Sequence, residues 1–475
     1  MAAPGGPQVE SGVARKEGGM GTDTRPMAGL RFLVSVLTAL ALGGSALRAQ
    51  ERVIYSASGT GDVAPFVTAS DPSGNLYGAD WFGGTGYGSI FELSPSSSGS
   101  WTETTLYTFT GPPDGWEPMG VVRDSAGNLY GTTLYGGAYQ NNDCVMLPAA
   151  NRRLNSPPSG ARPEGGSSFH CGSVFELSPN GDGSWSETTL YNFTGGRDGA
   201  TPQGGLVFDR EGNLYGTTSN GGAGQVGVAF ELSPVNGGWT ETVLHNFGGS
   251  SDGAFPNGNL AIDAAGNLYG TTPSGNTGTT YQNGIVFELS SSGGTWVETV
   301  LHKFGSTKSD GLVPYAGVIV DAAGNVYGTT SAGGAGGGYC GGFGCGTVYE
   351  LTRIKNGGWR EVILYAFAGT PDASSPDFPV TFGAKGSLYG AAGGGSATSC
   401  QLFGPCGTVY KLASSGGRWH EKVLHSFAGS PDGNQTDSGV IFGPGGHVFG
   451  GTTYGGSALC TRGSNGCGVV YEVKP

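Results

Sequence analysis

Hydrophobic and polar residues alternate along most of the chain in short stretches that suit β-strands. One region shows four of them in a row, GGLVFD (204–209), NLYGTT (213–218), GVAFEL (227–232) and WTETVLHNF (239–247). Apolar residues there recur at every second position or in short runs, as strands with a buried face require. Turn sequences such as DREGN and SPVNGG separate them, because aspartate, asparagine and glycine stabilise tight turns. The pattern predicts a unit of four antiparallel strands.

This unit recurs seven times. Its seven-residue signature is clearest as GNLYGTT at 127–133, 212–218 and 266–272, with variants at 74–80, 324–330, 386–392 and 446–452. Repeats made only of strands are typical of a β-propeller or a β-solenoid. We predict an all-β, seven-bladed propeller with blades over roughly 64–109, 118–193, 202–247, 256–304, 314–367, 376–427 and 438–473.

The seventh unit has only three strands before the chain ends at Pro475. Residues 52–58 resemble the fourth strand of the other units and precede the first blade. We therefore predict that they complete blade 7 and close the ring, which leaves no open sheet edges. The alternative, a linear solenoid, would need capping segments, and the sequence shows none. The propeller domain is expected over 50–475.

Residues 1–49 are predicted to be a leader with a secretion signal. An apolar run at 32–44 follows Arg25 and Arg31 and precedes small residues, with possible cleavage after Ala46 or Ala49. The run is too short to span a bilayer but suits a signal-peptide core. No later segment is apolar enough for a transmembrane anchor. We expect a periplasmic or extracellular protein.

Composition narrows the range of partners. The chain has 95 glycines, which fall at fixed places in the repeat and therefore indicate turns and close backbone approaches rather than disorder. Charged residues make up 12% and the net charge is −13, with no basic stripe that could follow a phosphate backbone. Nucleic acid is not an expected partner, and no cofactor is expected.

The phrases P-x-G-x-[LV]-x-x-D-x-x-G-N-L-Y-G-T-T, V-F-E-L and W-x-E-x-x-L resemble the GloVer tandem repeat of exported bacterial proteins with varied C-terminal anchors. The likeness covers nearly all of 52–473. The G-N-L-Y strand with its preceding turn is also similar, more loosely, to NHL-type propeller repeats. The resemblance implies an exported repeat protein of unassigned biochemical function. This chain stops after its last repeat, so attachment to a cell surface is not implied.

Eight cysteines fall into four local pairs, and each pair lies between the second and third strand of a unit. The pairs are Cys144/Cys171, Cys340/Cys345, Cys400/Cys406 and Cys460/Cys467. Export and this placement favour four disulfides within loops. Zinc binding is the less favoured alternative, because the spacings vary and only Cys171 has a neighbouring histidine, His170.

The connections that hold the cysteines, the insertion 138–170 and the blade-to-blade loops should all lie on one face of a propeller. Variable loops on a rigid scaffold often hold the functional site. The blade-to-blade loops repeat an aspartate, at Asp62, Asp114, Asp198, Asp252, Asp310, Asp372 and Asp432. A ring of carboxylates could bind a cation, but repeated turn chemistry is the favoured interpretation.

Aromatic residues break the repeat in one sector. Six tryptophans share one repeat position and are expected to be structural, whereas Trp81 and Trp116 do not. Tyr135 and Tyr139 belong to the same sector, and Asp80, Asp114 and Glu117 are near them in sequence. Aromatic faces beside carboxylates suit sugar rings, so these seven residues are the candidate ligand site. Packing against the 138–170 insertion is the alternative.

No complete catalytic grouping can be assembled. The repeated glutamate of VFEL, and His245, His302 and His425 in a slot otherwise held by tyrosine, are expected to be structural. We predict a monomeric, non-enzymatic binding module for a glycan or a protein ligand. The alternative is a polysaccharide-degrading hydrolase or lyase on the same face, with Asp80, Asp114 or Glu117 as catalytic acids.

Overall fold

A computed structural model describes residues 50–58, 64–139, 144, 171–248, 251–275, 283–334, 340, 342–355, 357–395, 399–400, 404–456 and 467–475. The predicted leader, 1–49, and most of the insertion 138–170 lie outside these ranges. The described residues form strands, turns and two short 3-10 helices, Ala384–Gly386 and Pro444–Gly446. None of their helices is long or apolar enough to cross a membrane.

Seven sheets follow one another along the chain, and each is a blade. Strand β1 (Gln50–Ser56) belongs to the last of them. Blade 1 contains β2 (Pro65–Ser70), β3 (Leu76–Asp80), β4 (Ser89–Pro95) and β5 (Trp101–Thr108); blade 2 contains β6 (Gly115–Arg123), β7 (Leu129–Gly136), β8 (Ser173–Pro179) and β9 (Trp185–Asn192). Blade 3 contains β10 (Val207–Phe208), β11 (Leu214–Thr218), β12 (Val228–Val235) and β13 (Gly238–Asn246).

The later blades add small extra pairings. Blade 4 contains β14 (Ala261–Ile262), β15 (Leu268–Ser274), β16 (Asn283–Ser292) and β17 (Thr295–Lys303). Blade 5 contains β19 (Ile319–Val320), β20 (Val326–Thr330), β22 (Thr347–Arg353) and β23 (Trp359–Ala366), and beside it β18 (Gly311–Leu312) pairs with β21 (Ala332–Gly333). Blade 6 contains β24 (Thr381–Phe382), β25 (Leu388–Ala392), β28 (Thr408–Ser415) and β29 (Arg418–Ser426), with a hairpin of β26 (Ser399–Cys400) and β27 (Gly404–Pro405).

Blade 7 closes the ring. It contains β30 (Asn434–Thr436), β31 (Ile441–Phe442), β32 (Val448–Tyr454) and β33 (Val469–Lys474), and β1 is its outermost strand. Strand β1 runs antiparallel to β33, with Gln50 opposite Lys474 and Ser56 opposite Val469. Pairing the first strand with the last removes the edges that an open array would expose. The predicted all-β, seven-bladed propeller, closed by the N-terminal strand, is confirmed.

Aromatic residues join each blade to the next. The phenylalanine that follows the fourth strand packs on the aromatic ring of the third strand of the next blade, with ring centroids 5.0–5.2 Å apart. The six pairs are Phe109–Phe175, Phe193–Phe230, Phe247–Phe287, Phe304–Tyr349, Phe367–Tyr410 and Phe427–Tyr471. Edge-to-face contacts of this kind stabilise the blade interface beyond the apolar area that they bury.

Two glycine positions of the repeat make room for these contacts. A Cβ on Gly216, in the LYG phrase, would lie 2.6 Å from Cζ of Phe230. A Cβ on Gly172, directly before the third strand, would lie 2.6 Å from Cδ of Pro202 in the next blade, and its φ is +90°. Only glycine fits such a close approach at a positive φ. The repeated glycines and prolines therefore set the distance between blades.

In blades 3 to 7 the inner strands are shorter than the sequence predicts, with two paired residues each, whereas those of blades 1 and 2 are longer. The stretch 204–209 was expected to be one strand, but only Val207–Phe208 pairs with β11. The preceding segment leaves its own sheet, and its carbonyl groups accept hydrogen bonds from threonines of the preceding blade, as in Thr132 Oγ1 to Gly204 O (3.2 Å) and Thr271 Oγ1 to Ala316 O (2.6 Å). These backbone groups are satisfied between blades, and the segment is free to line the axis.

Disulfides occur where the cysteine spacing predicts them. Cys144 is bonded to Cys171, and Cys340 to Cys345, with Cα atoms 4.8 and 5.3 Å apart. Cys406 is also disulfide-bonded, and so is Cys467. Their predicted partners are Cys400, whose side chain is outside the described part of the chain, and Cys460, which lies wholly outside it. The last two pairings stay predictions.

Candidate functional site

One end of the propeller holds the irregular connections of the described residues, and we call it the loop face. It is formed by the loops between second and third strands, such as 81–88 and 219–227, and by the blade-to-blade loops, such as 109–114 and 193–200. The opposite end, the turn face, holds the short turns between first and second strands and between third and fourth strands. The predicted site residues lie on or below the loop face.

A strained residue recurs where each blade-to-blade loop enters the next blade. Six non-glycine residues there have φ between 54° and 62°: Glu117, Thr201, Phe255, Val313, Ser375 and Gln435. Left-handed backbone is unfavourable for residues with a side chain, above all for the β-branched ones. Five of these residues donate their N–H to the preceding blade, at 2.8–3.0 Å, as in Thr201 N to Cys171 O. Backbone hydrogen bonds between blades therefore hold five of these six residues in place.

The position two residues further places a second ring of side chains closer to the axis. In chain order its members are Phe66, Met119, Gln203, Asn257, Tyr315, Asp377 and Asp437, and all are buried. Most other positions of the repeat keep one residue type, but this one changes from apolar in blades 1 and 2 to polar or acidic in blades 3 to 7. This change of residue type distinguishes the position from most of the repeat.

A cavity of about 160 Å³ opens between the inner strands at this level. The side chains that matter for its chemistry are Phe66 and Met119 on one side and Asn259, Tyr315, Asp377 and Ser438 on the other. Gly258, Gly317 and Gly439 also line it. The cavity is amphipathic: blades 1 and 2 contribute Phe66 and Met119, and blades 6 and 7 add the apolar Phe378, Pro379, Val440 and Ile441 beside the polar groups.

Trp81 adds to the apolar wall. Its ring is 4% exposed and meets Phe66 edge to face, with centroids 5.5 Å apart. Other blades have small or aliphatic residues at the same repeat position, for example Ser219 and Ser331. The indole Nε1 of Trp81 has no hydrogen-bond partner among the described residues. The tryptophan thus replaces a small side chain beside the cavity.

Trp116 and Tyr135 lie side by side, as the sequence predicts for one sector. They are opposite each other in the pairing of β6 with β7, with ring centroids 5.4 Å apart, and Tyr87 meets Trp116 edge to face at 5.9 Å. Both predicted aromatics are buried, whereas Tyr139 is 52% exposed. The burial of Trp116 and Tyr135 against each other agrees with the alternative that these residues serve loop packing. Their role in ligand binding stays a prediction.

The three predicted acids have different environments. Asp80 is buried and accepts the backbone N–H groups of Ala64, Phe82 and Gly83 at 3.1–3.2 Å. Burial raises the pKa of Asp80 to about 7, and those three donors oppose the rise. Asp114 accepts hydrogen bonds from Thr110, Tyr107 and Gly115. Glu117 is one of the left-handed residues described above.

The repeated loop aspartates have a structural role. Asp62 lies outside the described residues. Each of the other six accepts the N–H of the residue four positions earlier at 2.7–3.0 Å: Asp114, Asp198, Asp252, Asp310, Asp372 and Asp432. Each also lies against the tyrosine or histidine of the fourth, outermost strand. They stabilise loops, as the favoured interpretation expected, and they do not form a ring at the axis.

Sequence reasoning missed the axial residues. Their signal was present in the chain: the axial residue follows a proline in six of the seven units and changes from unit to unit. That variation was hidden because this segment was taken as the beginning of an ordinary strand. In blades 4 to 7 the inner strand is short, and residues just before it line the axial cavity instead.

Comparison with known proteins supports the repeat. Residues 160–352 match the model of the Gloeobacter/Verrucomicrobia repeat, which confirms the resemblance inferred from the sequence over that range. No curated protein matches the chain.

Solved structures with a similar arrangement include a protein of unknown function from Dyadobacter fermentans, with 14% identity, 90% of this chain and 97% of that chain covered, and a TM-score of 0.42. Others are PhoX from Pseudomonas fluorescens in complex with vanadate (12%, 90% and 95%, 0.43) and the PQQ-bound aldose sugar dehydrogenase from Streptomyces coelicolor (12%, 90% and 98%, 0.40). At these identities and scores the similarities carry no argument about the activity of this chain.

Proposed function

We propose that the protein is an exported, non-enzymatic binding module that holds part of a glycan in the axial cavity at the loop face. One observation carries this proposal: a single repeat position supplies apolar side chains from blades 1 and 2 (Phe66, Met119) and polar ones from blades 5 and 6 (Tyr315, Asp377) to the same cavity. Pockets for small molecules usually combine apolar surface with a few well-placed polar groups.

The chemistry of the cavity suits a sugar ring. Phe66, with Trp81 behind it, offers an aromatic surface to the C–H face of a pyranose, and Tyr315, Asp377 and Asn259 offer hydrogen-bonding groups to its hydroxyls. About 160 Å³ is small compared with the ~300–1,000 Å³ of typical ligand pockets. The cavity would therefore take one end of a glycan, and the remainder would lie on the loop face near Trp116, Tyr135 and Tyr139.

Export to the periplasm or the cell exterior is part of the proposal. Its support is the predicted signal in 1–49 and the disulfides Cys144–Cys171 and Cys340–Cys345, because structural disulfides persist in oxidising compartments. A glycan at the cell surface or in the surrounding medium is a partner available in that location.

Catalysis on the same face is the second candidate, favoured by one observation. The pKa of Asp80, raised to about 7 by burial, is in the range useful to a general acid. However, Asp80 Oδ1 is held by three backbone N–H groups, and Asp114 is held by its own loop. The binding function therefore accounts better for the site.

The test is a glycan array followed by titration calorimetry on the best ligand. We expect Asp377→Asn to weaken binding at least ~10-fold, since it removes a charge-assisted hydrogen bond while keeping the shape of the side chain. The matched control is Asp182→Asn, in a fully exposed loop of the turn face, which should leave the affinity unchanged. Equal affinity of Asp377→Asn and the unchanged protein would refute the axial site.

The same measurements distinguish binding from catalysis, and the axial cavity from the blade 1 and 2 sector. A loss of affinity in Trp116→Phe without any in Asp377→Asn would place the ligand in the blade 1 and 2 sector alone. New reducing ends or unsaturated products that disappear in Asp80→Asn would identify an enzyme. Binding only to a protein ligand, with no glycan bound, would replace the glycan in the proposal.

A further inference from the structure

A three-residue cluster recurs at the outer edge between neighbouring blades, and we call it the outer cleft. Each consists of a tyrosine or histidine on the fourth strand of one blade, the aspartate of the following loop, and a glutamate on the fourth strand of the next blade. The six described clefts are Tyr107/Asp114/Glu187, Tyr191/Asp198/Glu241, His245/Asp252/Glu298, His302/Asp310/Glu361, Tyr365/Asp372/Glu421 and His425/Asp432/Glu51.

In the three tyrosine clefts a hydrogen bond satisfies the aspartate. The phenolic O–H of Tyr107, Tyr191 or Tyr365 donates to the loop aspartate at 3.0–3.2 Å. A phenol is a poor ligand for most divalent ions, and its proton already occupies the space between the two groups. These clefts are structural contacts.

Two of the histidine clefts bring three metal-binding side chains together. The donor atoms of His302, Asp310 and Glu361 all lie within 4.8 Å of one another, and so do those of His425, Asp432 and Glu51. In the first cleft His302 Nε2 is 3.3 Å from Asp310 Oδ1 and 3.7 Å from Glu361 Oε2. Ligands ~2.0–2.1 Å from a tetrahedral zinc ion are about 3.3 Å apart, so these separations suit one shared ion.

The surroundings of the first cleft orient its ligands. Ser306 donates from its backbone N and from Oγ to Asp310 Oδ2, at 2.8 and 2.9 Å, which leaves Oδ1 directed at the histidine. The side chains of His302, Asp310 and Glu361 are 17%, 2% and 15% exposed. Second contacts that orient a ligand, and the exclusion of water around it, are typical of metal sites.

Two carboxylates in such a cleft repel each other unless a proton or a metal ion lies between them. Glu361 Oε1 and Glu51 Oε1 are buried and accept no hydrogen bond from the described residues, as is also true of Oε1 in Glu241, Glu298 and Glu421. What distinguishes the two proposed sites is therefore the histidine that joins both carboxylates within reach of one ion. An imidazole with two carboxylates is a donor set that suits zinc and similar divalent ions.

We propose that the His302/Asp310/Glu361 and His425/Asp432/Glu51 clefts each bind one divalent transition-metal ion of the Zn²⁺ class. The ion joins the fourth strands of two neighbouring blades. In the second cleft it also attaches the closing strand, because Glu51 is part of β1. The two sites therefore act as clamps on the ring, independently of any ligand at the axis.

The third histidine cleft is an internal comparison. His245 Nε2 is 3.4 Å from Asp252 Oδ2, but Glu298 does not join them in a group of donors within reach of one ion. Lys303 lies close enough to Glu298 to act on its charge, which disfavours a cation there. We expect no ion in this cleft.

The experiment measures zinc bound by the full chain after treatment with a chelator. Zn²⁺ added as the chloride at micromolar free concentration should bind at two ions per chain, by calorimetry and by elemental analysis of the dialysed protein. His302→Tyr and His425→Tyr should each remove one ion, and the double variant both. Tyrosine already occupies this slot in blades 1, 2 and 5, so the changes are compatible with the fold.

His245→Tyr is the matched control and should keep both ions. Glu361→Gln and Glu51→Gln provide a second pair of variants in case either histidine change disturbs folding. Zinc should also raise the melting temperature of the unchanged protein and not that of the double variant. Binding of no zinc, or undiminished binding in the double variant, overturns the proposal, and an equal loss in His245→Tyr shows that the histidines bind zinc nonspecifically.

Discussion

The two ends of the propeller differ in how constant their residues and contacts are from blade to blade. At the turn face, five blades repeat one hydrogen-bonded network, in which the turn aspartate accepts from an asparagine and from the tyrosine of the second strand; its members are Asp71/Asn75/Tyr77, Asp124/Asn128/Tyr130, Asp209/Asn213/Tyr215, Asp263/Asn267/Tyr269 and Asp321/Asn325/Tyr327. At the loop face the axial residues differ in almost every blade. Folding requires the same turn-face contacts in each copy. The axial residues are where the chain departs from that requirement.

Blades 6 and 7 show how the turn face tolerates change. In blade 6 the aspartate is replaced by Gly383 and the third-strand glutamate by Lys411, whose ammonium group lies 5.0 Å from the ring centroid of Tyr389. In blade 7, His447 and Arg52 both pair with Glu472 instead. One set of favourable contacts is replaced by another, so changes at this end preserve packing rather than create a site.

Removal of the closing strand should have the largest effect. Deletion of 50–56 leaves β33 with an unpaired edge and breaks the contact between Arg52 and Glu472. We expect a loss of at least ~5 kcal/mol in the free energy of unfolding, or failure to fold, because an edge strand and its packing are lost together. Urea denaturation followed by fluorescence measures it.

The control is a deletion of equal length within 145–165, in the predicted insertion, which should cost far less. A stable, monomeric protein without 50–56 would show that the ring does not depend on this closure.

A pair of glycine substitutions compares the two ends directly. Gly227 lies before a third strand at the loop face, with φ +103°, and a Cβ there would lie 2.9 Å from Cδ of Pro256 in the next blade. Gly237 lies in a turn of the turn face, with φ +81° and open space around it. We expect Gly227→Ala to cost ~3 kcal/mol and Gly237→Ala ~1 kcal/mol, since both strain the backbone but only the first also separates blades.

Thermal and urea unfolding of both variants test this difference. Equal losses would mean that backbone strain alone decides the cost, and that the distance between blades is not set by glycine.

The glutamates of the outer clefts should make stability fall as the pH rises. Burial raises the pKa of Glu241 and of Glu421 to about 7 from the usual 4.5, and Asp198 and Asp372 beside them add to the rise. Because the folded-state pKa is the higher one, the stabilising contribution is complete below about pH 4.5 and is lost as the pH rises through about 7. With allowance for solvent screening, each glutamate contributes ~1 kcal/mol.

Urea unfolding at pH 5 and pH 8, in a chelating buffer, measures this dependence. The double variant Glu241→Gln, Glu421→Gln should reduce the fall in stability between the two pH values by ~2 kcal/mol. The exposed Glu211→Gln serves as the control. An unchanged pH dependence in the double variant would contradict the assignment.

The smallest expected effect is at a left-handed residue of the loop face. Val313 has φ 58°, which is costly for a β-branched side chain. Val313→Gly should raise the free energy of unfolding by up to ~1 kcal/mol, because relief of strain outweighs the added freedom of glycine in the unfolded chain.

The informative comparison is with ligand binding on the same variant. A more stable Val313→Gly that binds the glycan less well would show that strain is retained at the loop face for function. A loss of stability would mean that the valine side chain packs too well for its backbone strain to matter.

The sequence predicts the framework well because its signals are local and repeated. Seven copies of the NLYG and VFEL phrases identify the blades, and the missing fourth strand of the last unit identifies the closure. The cysteine pairs Cys144/Cys171 and Cys340/Cys345 follow from spacing in the same way.

The candidate site was harder to predict, because the sequence shows which residues break the repeat but not which of them face a cavity. Trp81 and Trp116 break it and are buried, whereas Tyr315 and Asp377 are less conspicuous in the sequence and line the axis.

The sequence by itself therefore determined the number of blades, their strand order, the closing strand and the positions where only glycine or proline fits. Alternation, turn chemistry and repeat length act within one unit, and one unit is enough to define them. Tertiary structure alone decided that His302 and Glu361, or His425 and Glu51, share a cleft, and that Phe66 and Asp377 face one cavity. Those groups come from different blades, and only closure of the ring brings residues so distant in sequence within a few ångströms of one another.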